Sequence, residues 1–402
     1  MASCSSLARR MIAAELFSDL GNQVVHLALL AELFFRRADS TADLLLLCLI
    51  QQLPALVLGP WAGRRVDRMG PATGLLCGSL AKPALVIGLL CFCDRIAVWG
   101  LYFLFMIASL VFLISRLAMT PRIVAPDRLI PYNALNERVA LGVGILGPVL
   151  ISLSIRHAGT GISLGTGVVM YGVSAILIRG LPKTSDSMSI STPGHITAWP
   201  QCLVRAYVAP LMDRRVGAWV RVSAAAIGIG GLLNVAAPVY NHFFFQGDIV
   251  AWGVVMAGYQ AGACLAALLL SAMVNRWRDF TLFRICFFLI GMGFAVLAVL
   301  PNLPLFVLAM ADCGWGFTML QMLTESRIQR DCRPSRRGAT MAALASLRGA
   351  GLLGGCLLGG VFAELADVRE TMIVGCLASV AGLVLIIRSP AVFGKESSIG
   401  RH

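Results

Sequence analysis

Four polar side chains recur at steps of four, three and four within one apolar run: Glu15, Asp19, Asn22 and His26. On a helix those steps bring them within about 60° of arc, a single polar stripe on an otherwise apolar rod. Carboxylates placed this way can exchange protons or hold a cation. Asp19 is the leading candidate for proton exchange, whereas Glu15 lies nearer one end, within reach of water or an arginine. Asn22 and the deeper His26 would line a cavity. Lys82, followed by Pro83, stands near the middle of another apolar run, where it can neutralise Asp19 or hold an anionic group of a small molecule. A charge at the centre of a bilayer costs about 2.5–3.5 kcal/mol on insertion scales, so each one needs a reason. Arg116 offers similar chemistry close to Pro121. Glu137 and Arg138 are adjacent and so face different partners. Asp312 sits mid-run beside Gly314-Trp315-Gly316, with no short route to water, and Glu325 and Arg348 read as a gate salt bridge.

Enzymatic chemistry fits poorly. The five His residues (26, 157, 195, 242 and 402) do not fall with carboxylates at catalytic spacing. The cysteines are scattered through apolar runs, and Cys91-Phe92-Cys93 is a weak metal signal, since buried free thiols are ordinary packing residues. No metal site and no cofactor is expected. Trp315, with Tyr102, Tyr171, Tyr240 and Tyr259, offers aromatic surface to a small molecule.

The elements that must position these groups are plain in the composition. Of 402 residues, 58% are hydrophobic and only 13% charged, with a mean hydropathy of +0.82. Soluble domains carry about 25% charged residues, so a disordered chain, a secreted disulfide scaffold and a nucleic-acid-binding module are excluded. A helix needs about 20 apolar residues to cross the hydrocarbon core. Apolar runs predict helices near 11–35, 43–62, 73–93, 97–120, 132–156, 160–178, 217–244, 250–274, 281–300, 303–326, 338–363 and 370–389. No run alternates with the period of a barrel strand, so the spans are helices.

With twelve crossings, alternate connections share a side. The N-terminus, the connections after even-numbered helices and the C-terminus hold 24 of the 33 Lys and Arg. The opposite side holds five: Arg36, Arg37, Arg95, Arg156 and Arg369. This asymmetry places both termini in the cytoplasm, and the formal net charge of +13 is explained by topology and anionic lipid. Glu15 and Asp19 interrupt what would be the apolar core of a signal peptide, so the first segment is read as a retained span.

The interval 181–216 reads as a flexible cytoplasmic linker followed by a helix lying on the membrane surface. It separates six helices (1–180) from six more (217–402), the layout of two tethered bundles. Gly142-Val-Gly144-Ile-Leu-Gly147-Pro148 and Gly349-Ala-Gly351-Leu-Leu-Gly354-Gly355 echo each other across the halves. Small residues so spaced let helix backbones approach. Trp61, Trp99, Trp219, Trp252 and Trp277 fall near helix ends, as an interfacial belt would.

Gly63-Arg-Arg-Val-Asp67-Arg68-Met-Gly70-Pro71 resembles the signature loop of the major facilitator superfamily. Gly63 would permit tight packing, Asp67 would accept hydrogen bonds, and the arginines would pin the cytoplasmic side. In that family the loop latches the halves in the outward-facing state. Phe17-Ser18-Asp-Leu-Gly21-Asn22, the segment Pro121–Leu129 with Asn133, the pair Gly147-Pro148, and Gln329, Pro334 and Arg337-Gly338 resemble its proton-driven exporters, those around the enterobactin exporter and its multidrug relatives. Two departures stand out. Val149-Leu-Ile-Ser152 replaces the small residues of an antiporter motif, and Asn275-Arg-Trp-Arg-Asp279 is a remnant of the signature loop.

The resemblance implies an all-α integral membrane protein of two six-helix bundles in a bacterial inner membrane. The expected function is proton-coupled export of a small amphipathic molecule, a siderophore or drug-like compound, by alternating access. The expected partners are that small molecule, protons and membrane lipids, and the expected oligomeric state is a monomer. A lysophospholipid-type translocator is the alternative, and an integral-membrane lipid enzyme is a more distant one.

Overall fold

A computed structural model describes residues 6–36, 41–91, 94–125, 128–181, 217–277, 279–331 and 334–388. The linker and surface-helix expectations, from 182 to 216, lie outside them. The described residues form helices throughout: α1 (Ser6–Leu30), α2 (Thr41–Met69), α3 (Pro71–Cys91), α4 (Arg95–Ile123), α5 (129–158), α6 (160–179), α7 (Gly217–Phe245), α8 (Ile249–Arg276), α9 (Asp279–Val299), α10 (Leu303–Asp331), α11 (Pro334–Leu365) and α12 (Val368–Arg388). A short π-helical stretch, Ala31–Phe35, extends α1.

The breaks follow local chemistry. Gly159 adopts φ 85°, ψ 166°, a conformation open to glycine, and there the chain turns from α5 into α6. Gly70 (φ 83°) separates α2 from α3, whose first residue, Pro71, suits a helix start because it has no N–H to satisfy. Asp94 caps α4 by accepting the Ala97 N–H at 3.0 Å.

Ten stretches among the described residues are long and apolar enough to cross a membrane, one of them the α5–α6 pair. The N-terminal helix α1 is not among the ten, because the polar stripe that gives it chemistry also lowers its hydropathy. Large apolar side chains face outward throughout: Ile96, Ile176, Leu268 and Leu385 are each at least 66% exposed. A water-soluble fold would not present so much apolar surface, but a lipid-facing one does.

The helices gather in two compact units. One comprises Met1–Thr192 with Gly247–Ala257, the other Pro193–Gln246 with Gly258–His402. In the first unit α1 packs on the α5–α6 pair and α3 on α4; in the second, α7 packs on α11, and α9 on α10 and α12. The α7–α11 contact is backbone against backbone. A Cβ on Gly355 would strike the Gly228 carbonyl, and one on Gly231 would stand 2.9 Å from the Cys356 nitrogen. Gly354, next to it, faces open space. Gly355→Val is therefore expected to lower the melting temperature of the detergent-solubilised protein sharply, since overpacking costs about 1–3 kcal/mol and here no side chain can yield. Gly354→Ala should leave it within a degree or so, because surface changes stay near ±0.5 kcal/mol.

Several expectations are corrected. Trp219 and Trp252 are buried inside the protein, not set in an interfacial belt. Trp219 lies against Phe283 with centroids 4.9 Å apart, and Trp252 meets Phe35 edge-on. Trp61 and Trp277 are exposed, as belt residues would be. Gly63 meets nothing within 4 Å of where a Cβ would sit, so it does not serve tight packing; Gly70, with its left-handed backbone, is the glycine this loop requires. Arg65 and Arg68 are exposed at the end of α2.

Candidate functional site

The polar stripe of α1 faces the interior of the first unit, where α2, α3, α4, α5 and α6 each send at least one polar side chain to meet it. Helix α1 can lie close to α6 because Gly21 has no side chain: a Cβ there would stand 2.6 Å from the Tyr171 ring. The space lets Tyr171 donate from its hydroxyl to Asn22 Oδ1 at 3.0 Å, and Ser174 donate to the Ala14 carbonyl at 2.7 Å. Gly147 of α5 similarly makes room for Gln23, whose amide reaches the Val143 carbonyl. The Ser18-x-x-Gly21-Asn22 spacing thus has a packing reason. Gly21→Ala should push Tyr171 off Asn22 and destabilise the protein by about 1–3 kcal/mol, readable as a lowered thermal midpoint. An unchanged midpoint would mean that the ring is not seated there.

Lys82 is 1% exposed, one of the most buried large side chains in the protein. Its ammonium donates to Ser18 Oγ at 2.9 Å and to Asn22 Oδ1 at 3.3 Å, and it lies 4.4 Å from the centroid of Phe112 and 5.5 Å from that of Tyr171. Burying an ammonium costs several kcal/mol. Hydrogen bonds to a charged group return about 1.5–3 kcal/mol each, and a desolvated cation–π contact about 2. The cage, drawn from α1, α4 and α6, thus makes the buried charge tolerable.

One turn along α1 from Ser18, towards its N-terminus, Arg116 of α4 forms an ion pair with Glu15 Oε1, and Asn136 of α5 donates to the same oxygen at 3.2 Å. Glu15 Oε2 is buried without a hydrogen-bond partner. In the other direction along α1, His26 Nδ1 stands 2.5 Å from Gln51 Nε2; since the amide nitrogen donates, the ring accepts at Nδ1 and its other nitrogen carries the proton.

These groups surround a cavity of about 380 Å³, lined by Glu15, Asp19, Asn22, Gln51, Lys82 and Arg116 on its polar side. Pro54, Ala55, Met106, Leu110 and Leu113 supply its apolar wall. Its size falls within the range of small-molecule sites. Asp19 lines it, close enough for its charge to interact with those of Glu15, Lys82 and Arg116. Yet Asp19 makes no hydrogen bond or ion pair among the described residues.

Of the sequence-derived candidates, Glu15, Asp19, Asn22, Lys82 and Arg116 meet at this one cavity, and His26 touches it through Gln51. The others stand elsewhere. Glu137 is exposed on α5. Asp312 is half-buried on α10 in the second unit and makes no hydrogen bond or ion pair among the described residues. Trp315 does not line this cavity: it is buried in the apolar core of the second unit with Phe283, Leu320 and Leu323. The Glu325–Arg348 pair forms within the second unit: Arg348 bonds Glu325 at 2.5 Å, Ser223 Oγ at 2.7 Å and the Gln321 carbonyl at 3.1 Å, fastening α10 and α7 to α11. Sequence reasoning missed Gln51 and Asn136, and named Ser18 only within a motif, without a role at the site. Ser18 lies four residues before Asn22 on the same stripe, and Gln51 is a polar residue within an apolar run, so a signal was present for both.

A family model described as the Major Facilitator Superfamily matches residues 11–351. Among curated proteins, YfiS of Bacillus subtilis (strain 168), described as an MFS-type transporter, is 24% identical over 94% of this chain and 92% of its own length. An MFS-type transporter of Pseudomonas aeruginosa (strain UCBPP-PA14) is 27% identical over 84% and 82%. Solved structures share the fold at lower identity. A mutant of the nucleoside transporter NupG superposes with a TM-score of 0.81 at 14% identity, over 96% of this chain and 100% of that one. A bacterial homologue of the iron transporter ferroportin, in an inward-facing state, gives 0.71 at 15%, over 96% and 99%.

Proposed function

Since the chain belongs to the Major Facilitator Superfamily, and is thus a multi-pass membrane transporter and not an enzyme, we propose that it exports a small amphipathic molecule in exchange for protons. In this reading twelve helices cross a bacterial inner membrane in two groups of six, with both termini cytoplasmic as the Lys and Arg asymmetry suggests. Transport proceeds by alternating access, which exposes the cavity on the α1 stripe to each side of the membrane in turn. Cargo is siderophore-like or drug-like, a molecule with a polar head and an apolar body.

One observation carries the proposal: Asp19 is the carboxylate at the cavity without a hydrogen bond or ion pair among the described residues, while Glu15 beside it is held by Arg116 and Asn136. Glu15 must first give up Arg116 and Asn136 to change its protonation, whereas Asp19 can take a proton in one state and release it in another without breaking a bond of this kind. The formal charges of Glu15, Asp19, Lys82 and Arg116 at the cavity sum to zero. A proton and a singly charged cationic cargo bring the same charge to it, which suits one-for-one exchange.

The test uses inverted vesicles from cells that overproduce the protein, presented with a panel of drug-like and siderophore compounds. Uptake that stops when nigericin collapses the pH gradient is expected, and Asp19→Asn should abolish the gradient-dependent part, with any passive uptake remaining. Uptake unchanged by nigericin, or by Asp19→Asn, would overturn proton drive through this residue.

A further inference from the structure

The cavity's two kinds of charge are not equally available. Its cations are engaged: Lys82 by two hydrogen bonds and an aromatic face, Arg116 by Glu15. What is left unengaged is acceptor capacity. Glu15 Oε2 is buried and partnerless on a residue 8% exposed. Asp19 presents a whole carboxylate one turn further along the same face of α1, about 6 Å along the axis. Ser109 Oγ, also lining the cavity, is buried and unpaired. A second space that Glu15 and Asp19 border, a cleft of about 10 Å³ beside Asn136 and Val143, is too small for a ligand head.

Building on the transport reading above, we infer that the cargo of this cavity carries a cationic head rich in N–H donors, a guanidinium, amidinium or primary ammonium, and that the site rejects quaternary cations of the same charge and bulk. Coulomb attraction alone would not separate the two classes, because both carry one positive charge. Hydrogen bonding does. A guanidinium can donate to Glu15 Oε2 and to Asp19 together, since its planar fork presents up to five donors. A trimethylammonium head has none, so it would enter and leave a buried acceptor unsatisfied, shut off from water, and sites built to hydrogen-bond a group discriminate strongly against analogues that lack it. The apolar body would rest on Met106, Leu110 and Leu113 of α4, which line the same cavity. Anionic cargo is disfavoured because Glu15 and Asp19 would both repel it across the same space.

The experiment measures binding to the purified full-length protein in lipid nanodiscs by isothermal titration calorimetry. Two probes are used: 4-phenylbutylguanidinium and 4-phenylbutyltrimethylammonium, which share a charge and an apolar body. The guanidinium is expected to bind at least about tenfold tighter, and Asp19→Asn should shrink that ratio towards one. 4-Phenylbutyrate should not compete. Equal binding of the two cations, tighter binding of the quaternary one, or no binding of either would overturn the inference. The transport reading would survive such a result, because it is judged by gradient-dependent uptake across the compound panel.

Discussion

Lys82→Met is expected to cut transport by at least about tenfold and to destabilise the protein by about 2–5 kcal/mol, although methionine nearly matches the lysine stem in volume. The substitution leaves Ser18 Oγ buried without the donor it now has and Asn22 Oδ1 with the Tyr171 hydroxyl alone, and stranding a buried polar group costs about 1–3 kcal/mol. It also leaves Glu15 and Asp19 facing Arg116 alone, so the cavity gains a net negative charge. The second effect is separable. In the double variant Lys82→Met with Asp19→Asn the charge balance is restored, so the loss should be smaller than the two single losses together. A coupling of about 0.5–3 kcal/mol is typical of charges that sense each other. Thermal midpoints of the four proteins in the same detergent provide the measurement. Strict additivity would mean that Lys82 and Asp19 do not share an electrostatic environment.

Arg116→Met is expected to be the most destabilising single change among the cavity charges, at about 3–5 kcal/mol, because it leaves a buried carboxylate without its counter-ion. Glu15 is poorly placed to recover in water: its side chain is 10% exposed and that of Arg116 is 20%. Replacing both, Glu15→Met with Arg116→Met, should recover most of the loss, since a buried pair can be exchanged for apolar packing at little net cost. The pair in the second unit provides an internal comparison. Arg348 is similarly buried at 13%, but Glu325 is 40% exposed, so after Arg348→Met the stranded carboxylate can be hydrated. A smaller loss is expected there, measured by the same midpoints. Equal losses at the two sites would contradict the link between burial and the cost of an unpaired charge.

The polar stripe was legible in the sequence because periodicity alone fixes it: any helix through residues 15–26 puts Glu15, Asp19, Asn22 and His26 on one face. The helix positions were legible for the same reason, as long apolar runs bounded by charge and glycine leave few choices. Which partner each charge would find was not legible. Arg116 meets Glu15 101 residues away, and Lys82 meets Ser18 64 residues away; such pairings depend on how whole helices pack, which local pattern does not encode. Lys82 reads from the sequence as a counter-ion for Asp19 or a holder of an anionic group; its charge does interact with that of Asp19, but the hydrogen bonds that seat it go to the neutral groups Ser18 and Asn22 beside two aromatic rings, which the sequence does not disclose. Trp315 leaves two readings open for a related reason. An aromatic residue flanked by glycines reads equally well as a cavity wall or as a knob in a core, and the glycines themselves decide it. A Cβ on Gly314 would strike the Tyr259 carbonyl, and one on Gly316 would stand 2.7 Å from Ile290, so this part of α10 is pressed against its neighbours.

Proton movement coupled to cargo through Asp19 is measured most directly in proteoliposomes loaded with the pH dye pyranine. An inward gradient of 4-phenylbutylguanidinium, a cation that stays protonated near neutrality, should drive protons out and make the lumen alkaline. The Asp19→Asn protein should produce no such change. Guanidinium uptake with no pH change in the native protein, or a signal of equal size from Asp19→Asn, would contradict exchange at this site.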